Sequence, residues 1–353
     1  MEFKINHTFT IDNFLDSFEE YLKCYYHTHP ALCLEKPSDS PLPKELIDAI
    51  PKYIKNAPSF SYGFNYFSDA LMNLFNKSNI VTAFHPRYLP AVIHSHSFFE
   101  VIYVLSGTCI NYSGNQILEL SPGDLLIIAP DTPHALSVFT DDCQVINILI
   151  RVSIFEEAFG KIFSEQDVLY EFFTRSLYEY KANMLLLSHT KDDPIILLAV
   201  LSLFEDQACP YSYQEQMKIS YMTMLFNRIL TKHAKDTVIF SDRHIDTNHD
   251  LALILRYMHQ HYQTVTLAEL ANSFGYSERH MSRILKEYTS NGFQKNIQYI
   301  RMQHALEFLE DKHYSLEDIA TKVGYSSARN FRDAFKQQFG LSPSEFQKKL
   351  ESK

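Results

Sequence analysis

The chain has 353 residues, too many for one ordinary domain and enough for two or three that each bury a core of their own. With 46% hydrophobic and 14% aromatic residues, only 9 glycines and no tryptophan, it is neither a disordered polymer nor a repeat fibre. The formal charge of −10 is uneven: residues 1–244 hold 18 Lys and Arg against 29 Asp and Glu, residues 245–353 hold 14 against 13, and only the last third is not repelled by polyanions.

The opening stretch MEFKINHTFTIDNF lacks the apolar core of a secretion signal, and the longest apolar run, Ile195 to Phe204, is half a membrane span. A cytoplasmic protein without membrane contact is therefore expected. Five cysteines, Cys24, Cys33, Cys109, Cys143 and Cys209, are odd in number and contain no C-x-x-C pair. That argues against a disulfide framework or a zinc knuckle and leaves reduced, mostly buried thiols.

Residues 10–26 and 44–56 show helical apolar spacing on either side of PSDSPLP, which no helix would cross, so residues 1–80 read as a helical extension. From about residue 81 the period changes. The runs FEVIYVLSG, TCINY, QILEL, DLLIIAP, HALSVF and QVINILIRV are short, apolar and bounded by turn residues, which predicts an antiparallel barrel or double-sheet jelly roll over residues 81–152. Residues 153–244 return to helical spacing. A helix from Gln214 to Lys232, with Met217, Ser220, Tyr221, Met224, Leu225 and Arg228 on one side, can pack on a second copy or back on the barrel. The polar stretch KDTVIFSDRHIDTNHD then reads as a linker.

Residues 245–353 contain the same motif twice. TLAELANSFGYSERHMSRILKEY and SLEDIATKVGYSSARNFRDAFKQQFG align with an offset of 49 up to the glycine and one residue more after it. Thr266 and Ser315 are placed to cap a first helix, each with a carboxylate three residues on, at Glu269 and Asp318. Leu267, Leu270, Ala271 and Phe274 form one apolar stripe, and Leu316, Ile319, Ala320 and Val323 repeat it. Gly275 and Gly324 can end that helix in a left-handed turn, after which Ser277 or Ser326 starts a second. This is helix-turn-helix geometry, duplicated and joined by an amphipathic helix from Phe293 to Glu310, and it predicts two recognition helices about one DNA turn, roughly 34 Å, apart. Met281, Leu285, Phe331 and Phe335 are expected in the core. Of the exposed residues, Arg279, Arg283, Arg329 and Arg332 suit guanine edges or phosphates, Asn330 suits adenine, and Lys286 and Lys336 suit phosphates. His280, Ser282 and Ala328 complete the expected contact face.

IATKVGYSSARNFRDAFKQQFGLSPSEF and RMQHALEFL resemble the AraC family of bacterial transcription regulators over residues 250–350. The resemblance implies two recognition helices, Ser277 to Tyr288 and Ser327 to Phe339, and promoter activation through contact with RNA polymerase, with repression as the alternative; a homodimer is expected from the amphipathic helical region over 154–235. Asp333 departs from the family, which often has arginine there.

HSHSFFEVIYVLSG, His94 to Gly107, carries a second signal. On a strand, His94, His96 and Glu100 point to one face and can converge inside a barrel. The stretch is similar to the first motif of the cupin superfamily, H-x-H-x3-E-x6-G, and GDLLIIAPDTPH resembles the second, with His134 at its fourth ligand position. Three imidazoles and a carboxylate suit a divalent transition metal. AraC-type regulators with cupin-like sensor domains share the wording without catalysis, so His94, His96, Glu100 and His134 are expected to line an effector pocket for a polar or anionic small molecule, with no obligatory cofactor. Phe98, Phe99, Tyr103 and Tyr112 are candidate stacking residues. The expected fold is α+β and multi-domain: helical extension, cupin-like barrel, helical dimerisation region and linker, and an all-α tail with two helix-turn-helix motifs. The expected function is a non-enzymatic, sequence-specific regulator that binds promoter DNA and a small effector. The alternative is a metal-dependent cupin enzyme, a dioxygenase or isomerase, with an autoregulatory DNA-binding tail.

Overall fold

The computed structural model describes residues 13–37, 43–46, 48, 66–67, 75, 78–152, 154, 159, 167–178, 183–191, 193–205, 214–241, 249–289, 291–310 and 313–351. The expected helix over 44–56, the loop part of the linker and Cys209 fall mostly or wholly outside them.

Helix α1 (Asn13–Thr28) buries Phe18 and Leu22 against Leu34, Leu46 and Tyr88. Arg87 holds it to the barrel by donating to Glu19 at 2.6 Å. Of the eleven strands among the described residues, nine build the barrel: β2 (Ile80–Phe84), β4 (Phe99–Ser106), β5 (Cys109–Ser113), β6 (Gln116–Leu120), β7 (Asp124–Ile128), β8 (Ala135–Ser137), β9 (Gln144–Ile150), β10 (Met184–His189) and β11 (Thr237–Ser241). The two others, β1 (Tyr66–Phe67) and β3 (Ser95–His96), pair in parallel beside it. A six-stranded antiparallel sheet, in the order β11-β10-β7-β4-β9-β2, faces a three-stranded one, β6-β5-β8.

Two sequence expectations change here. Residues 153–244 are not all helical, and the barrel does not end at 152, because β10 and β11 complete its larger sheet. TVIFS, read as linker, is β11. Its apolar residues are few, but their alternation lets one face cover the barrel while the backbone pairs with β10.

The two faces of the large sheet divide the molecule. Val101, Tyr103, Leu125, Ile127, Ile146 and Ile148 pack against the helices α2 (Val168–Tyr178), α3 (Pro194–Glu205) and α4 (Gln214–Arg228). Ile102, Val104, Leu126, Ile128, Val145, Leu185 and Leu187 point into the barrel, against Cys109, Leu120, Leu136 and Val138 of the small sheet. The proposed dimer stripe on α4 is largely used within the chain: Leu225 is fully buried, Tyr221 and Met224 pack on the core, and Arg228 donates to Asp193 at 2.8 Å, leaving Met217 and Ser220 outside. The thiols also differ from expectation, with Cys109 and Cys143 buried but Cys24 and Cys33 exposed.

The tail is all-helical: α5 (His249–Gln260), α6 (Leu267–Ser273), α7 (Glu278–Thr289), α8 (Phe293–Glu310), α9 (Leu316–Lys322), α10 (Ala328–Phe339) and α11 (Pro343–Glu351). It has two cores, one around Leu255, Leu270, Met281 and Leu285, the other around Ile319, Phe331, Phe335 and Phe346, and α8 contributes to both. Among the described residues, no helix is long and apolar enough to cross a membrane.

Candidate functional site

Two polar constellations stand out, one inside the barrel and one on the surface of the tail. The first is assembled where β3, the start of β4 and the loop before β8 meet. His94 and His134 form an isolated antiparallel bridge, exchanging backbone hydrogen bonds of 2.9 and 2.8 Å. That pairing brings their rings to 4.3 Å. Glu100 is buried and its Oε2 takes both the Nε2 of His96, at 3.0 Å, and the Nε2 of His134, at 3.1 Å. The other nitrogen of each ring is held by a carbonyl, Phe98 O at 2.7 Å and Thr132 O at 3.1 Å. Burial by itself raises the Glu100 pKa, but the hydrogen bonds from His134 and His96 overcome it and hold the carboxyl well below the usual range. Burial, with His134 nearby, pushes His94 down to about 3, and burial pushes His85 down to about 4.

All four predicted residues thus come together, though not on one continuous strand. Residues 97 and 98 form a bend between β3 and β4, and Phe98 turns to stack on the His96 ring at 4.3 Å and 5°. The set whose ligand atoms lie within 4.8 Å of one another is His94, Glu100 and His134. His96 instead braces Glu100. Both His94 and His134 have Nδ1 anchored on a carbonyl, that of Val92 at 2.9 Å in the first case, which fixes the rings as metal-bound imidazoles are usually fixed. Of the four aromatic candidates only Phe98 touches the cluster. Phe99 and Tyr103 face the helices, and Tyr112 alternates with the inward Asn111 and so lies on the outer side of β5.

Sequence reasoning missed a second set of polar groups in the barrel. Asn111 is fully buried on β5, with neither its Oδ1 nor its Nδ2 hydrogen-bonded; the Oδ1 of Asn147 on β9 and the Nε2 of His85 are likewise buried and unpaired. Asn147 Nδ2 and His85 Nδ1 are 3.4 Å apart. In register, Asn111 lies opposite Leu136 and Asn147 opposite Ile102, one inward-facing step further along the strands than His134 and Glu100. The barrel therefore holds a polar tier at its His/Glu end above the apolar tier around Val104 and Cys109. Each unpaired buried polar group costs about 1–3 kcal/mol. An inward Asn within an otherwise apolar alternation, as in TCINY and QVINIL, was the legible sign.

The second constellation follows its sequence description closely. Both capping boxes form, Thr266 with Glu269 and Ser315 with Asp318. Gly275 and Gly324 adopt φ of +70° and +83°. Ser277 and Ser327 accept from the backbone N–H of His280 and Asn330, at 3.2 and 3.3 Å, and start the second helices; the cap of the second copy is Ser327, not Ser326, because of the extra residue after its glycine. On α7, Arg279, Arg283 and Lys286 are exposed, Ser282 is half-buried, and His280 lies half-buried against Tyr276 at 4.7 Å. On α10, Arg329, Asn330, Arg332, Asp333 and Lys336 are exposed, whereas Ala328 packs against the second core and is a spacer. Met281, Leu285, Phe331 and Phe335 are at most fractionally exposed, as expected.

Arg301 of α8 fastens the two copies. Its Nε and an Nη donate to the carbonyls of Tyr262 and Gln263, both at 2.9 Å, and its guanidinium lies 5.6 Å above the Tyr325 ring. Thr289, Asn291 and Asn296 form a buried corner between α7 and α8, with Asn296 Nδ2 donating to Thr289 Oγ1 at 2.8 Å. The recognition helices are thus held on a rigid axle about 27 Å long.

Each constellation lies largely within a segment that matches a known domain family. Residues 87–185 match the AraC-like ligand binding domain, and residues 270–349 match a helix-turn-helix domain. The chain is similar to the HTH-type transcriptional activator RhaS of Escherichia fergusonii, at 23% identity over 277 residues, covering 78% of this chain and 94% of that one. With RhaS of Klebsiella pneumoniae it shares 25% identity over 275 residues, covering 76% and 93%. Among solved structures, ToxT of Vibrio cholerae O395 aligns at 15% identity with a TM-score of 0.42, covering 77% of this chain and 98% of that one.

Proposed function

Because the chain belongs to the AraC/XylS family of transcriptional regulators, with a cupin-like sensor domain before its DNA-reading tail, we propose that it is a cytoplasmic, homodimeric activator. In this reading an effector in the barrel changes how α7 and α10 are presented to promoter DNA and to RNA polymerase. The observation that carries it is the pairing of a barrel with unpaired buried polar groups and two capped helices with exposed arginines. The name of the RhaS relatives supports activation. Arg279, Arg283, Arg329 and Arg332 read base edges or phosphates, Asn330 reads adenine, and Lys286 and Lys336 hold the backbone.

The polar tier narrows the effector. Asn111 offers a donor and an acceptor, Asn147 an acceptor and His85 a ring nitrogen, so the ligand must bring hydrogen-bond donors and acceptors together. An anion would lie beside the buried Glu100 carboxylate, whose hydrogen-bond partners are the imidazoles of His96 and His134, and its charge would be set against that carboxylate, which favours a neutral ligand over an anionic one. The test is a thermal-shift screen of neutral polyhydroxylated compounds against matched carboxylates. Hits are then assayed for altered affinity toward a duplex that the full chain selects from a random library. Stabilisation only by carboxylates, or hits without effect on DNA affinity, would refute this reading.

We propose no catalytic step for the barrel. A second reading is favoured by one observation, the convergence of His94, Glu100 and His134 within 4.8 Å. These residues would hold a divalent transition metal, with His96 bracing Glu100, and the metal would supply a Lewis acid that orients an effector oxygen. Elemental analysis of protein purified without chelator tests this: a stoichiometric metal lost in His94→Ala and His134→Ala supports it, and metal-free wild-type protein excludes it.

A further inference from the structure

The loop between β7 and β8, Ala129 to His134, touches both the His/Glu cluster and the tail. Asp131 lies in the left-handed region, φ +61°, between Pro130 and the Thr132-Pro133 pair. Its backbone N–H donates to the carbonyl of His96 at 2.7 Å, and three residues later His134 donates to Glu100. Thr132 ties the same loop to β10, its Oγ1 accepting from the Met184 N–H at 3.2 Å. The loop is thus fastened at both ends to partners of the Glu100 carboxylate, and its backbone has little freedom to adjust without moving the Asp131 side chain.

That side chain leaves the barrel. Asp131 Oδ2 accepts a 2.5 Å hydrogen bond from the hydroxyl of Tyr299, a buried residue near the middle of α8. Tyr299 stands where α8 changes partners: Ile297 and Ile300 enter the first helix-turn-helix core, while Met302, Ala305 and Leu309 enter the second. Arg301, two residues on, holds the copies together. A displacement of α8 at Tyr299 therefore moves both recognition helices as a unit. Sensor and tail also meet where α2 packs along α5, with Leu177 touching the cores of both.

We infer that the Asp131–Tyr299 hydrogen bond is the directional latch through which the state of the barrel cluster sets the position of the DNA-reading axle. It rests on the reading of the barrel as the effector site and adds the route by which occupancy is transmitted. A ligand that rearranges the partners of Glu100 pulls on the 129–134 loop from both ends, and the carboxylate of Asp131 converts that pull into a gained or lost bond on α8. Coupling of this kind requires a contact that differs between two arrangements, and a single hydrogen bond to a charged acceptor is strong enough to bias them.

The test needs neither the effector nor the natural promoter. The probe is the duplex of highest affinity that the full-length wild-type chain selects from a random 40-base-pair library. Glu100→Gln removes the carboxylate charge that both imidazoles face and stands in for a perturbed cluster, and Tyr299→Phe removes only the latch hydroxyl. Glu100→Gln is expected to change affinity for the probe at least about five-fold in the wild-type background and less than about two-fold in Tyr299→Phe. Hydrogen exchange of the amides of residues 129–134 should quicken in Tyr299→Phe while the β-sheet amides stay protected. Should Glu100→Gln not fold, Asn111→Leu replaces it in the same cycle. An equal fold-change in both backgrounds overturns the latch and leaves the sensing barrel standing. No change from either barrel variant in either background overturns the sensing reading and the latch with it.

Discussion

The barrel and the tail differ in how far their buried polar side chains are hydrogen-bonded. In the tail, the buried Thr289–Asn291–Asn296 corner is tied by several hydrogen bonds and keeps one unpaired atom, Asn296 Oδ1, while the arginines of α7 and α10 are outside. In the barrel, Asn111 is buried without any hydrogen bond, and Asn147 and His85 each keep one unpaired atom. A tail that reads a rigid duplex benefits from a fixed internal frame and an available surface. A barrel that receives a small molecule benefits from internal groups whose hydrogen bonds are completed only on binding. The contrast separates a part built for presentation from a part built for reception, and each prediction below tests one side of it.

The largest effect is expected at Gly324. Its φ is +83°, and an added Cβ would come within 2.4 Å of the Gln263 carbonyl oxygen and 3.0 Å of the Arg301 guanidinium. Gly324→Ala should cost about 3 kcal/mol or more in urea unfolding, since backbone strain and a clash with a main-chain atom add. Gly275, the equivalent glycine, has φ +70° but open space around its Cβ, so Gly275→Ala should cost only about 1 kcal/mol. Equal losses would mean that the close approach held by Arg301 is not part of the frame.

Next come the exposed arginines of α7 and α10. Arg283→Ala and Arg329→Ala should each weaken specific binding by about 1–3 kcal/mol, seen as a loss of discrimination against scrambled competitor, without change in melting temperature. A smaller gain is expected inside the barrel. Asn111→Leu replaces an unpaired amide by an apolar group of similar size and should stabilise the barrel by about 1 kcal/mol while abolishing any effector-induced shift in melting temperature. A destabilised Asn111→Leu protein would remove the central contrast drawn between the two regions.

The last effect, spread over several pH units, is a stability slope in the tail. Burial, with His304 alongside at 4.7 Å, pushes His259 down to about 3. A folded pKa below the unfolded value means that the unfolded chain binds the extra proton first. Stability contributed by the neutral ring is then complete above about pH 6.5 and declines as pH falls toward the folded value, by up to about 1.4 kcal/mol per unit. Urea unfolding between pH 7 and 5, comparing wild type with His259→Leu, checks the sign; a slope unchanged by the substitution would assign it elsewhere.

Much of this was legible without coordinates. The duplicated motif showed its caps, stripes, turn glycines and core aromatics because helix formation is governed by contacts three and four residues apart, all visible in a linear string. The six strand runs of the barrel were legible for a similar reason, their alternation with a period of two. The strands β10 and β11 were not, since MLLLSH and TVIFS are joined to the barrel only by pairing across long intervals of sequence. The same holds for Asp131 and Tyr299, whose hydrogen bond links residues 168 apart in the chain.

By itself the sequence determined that this chain reads DNA with two helical modules and carries a barrel with three histidines and a glutamate near one another, because residue type and local period encode both. Tertiary structure decided which of those side chains share a hydrogen bond, which polar groups are left unpaired inside, that Ala328 supports α10 from below, and that the barrel touches α8 at Tyr299. Those outcomes depend on how distant segments pack, where a shift of an ångström makes or breaks a directional bond that no local pattern records.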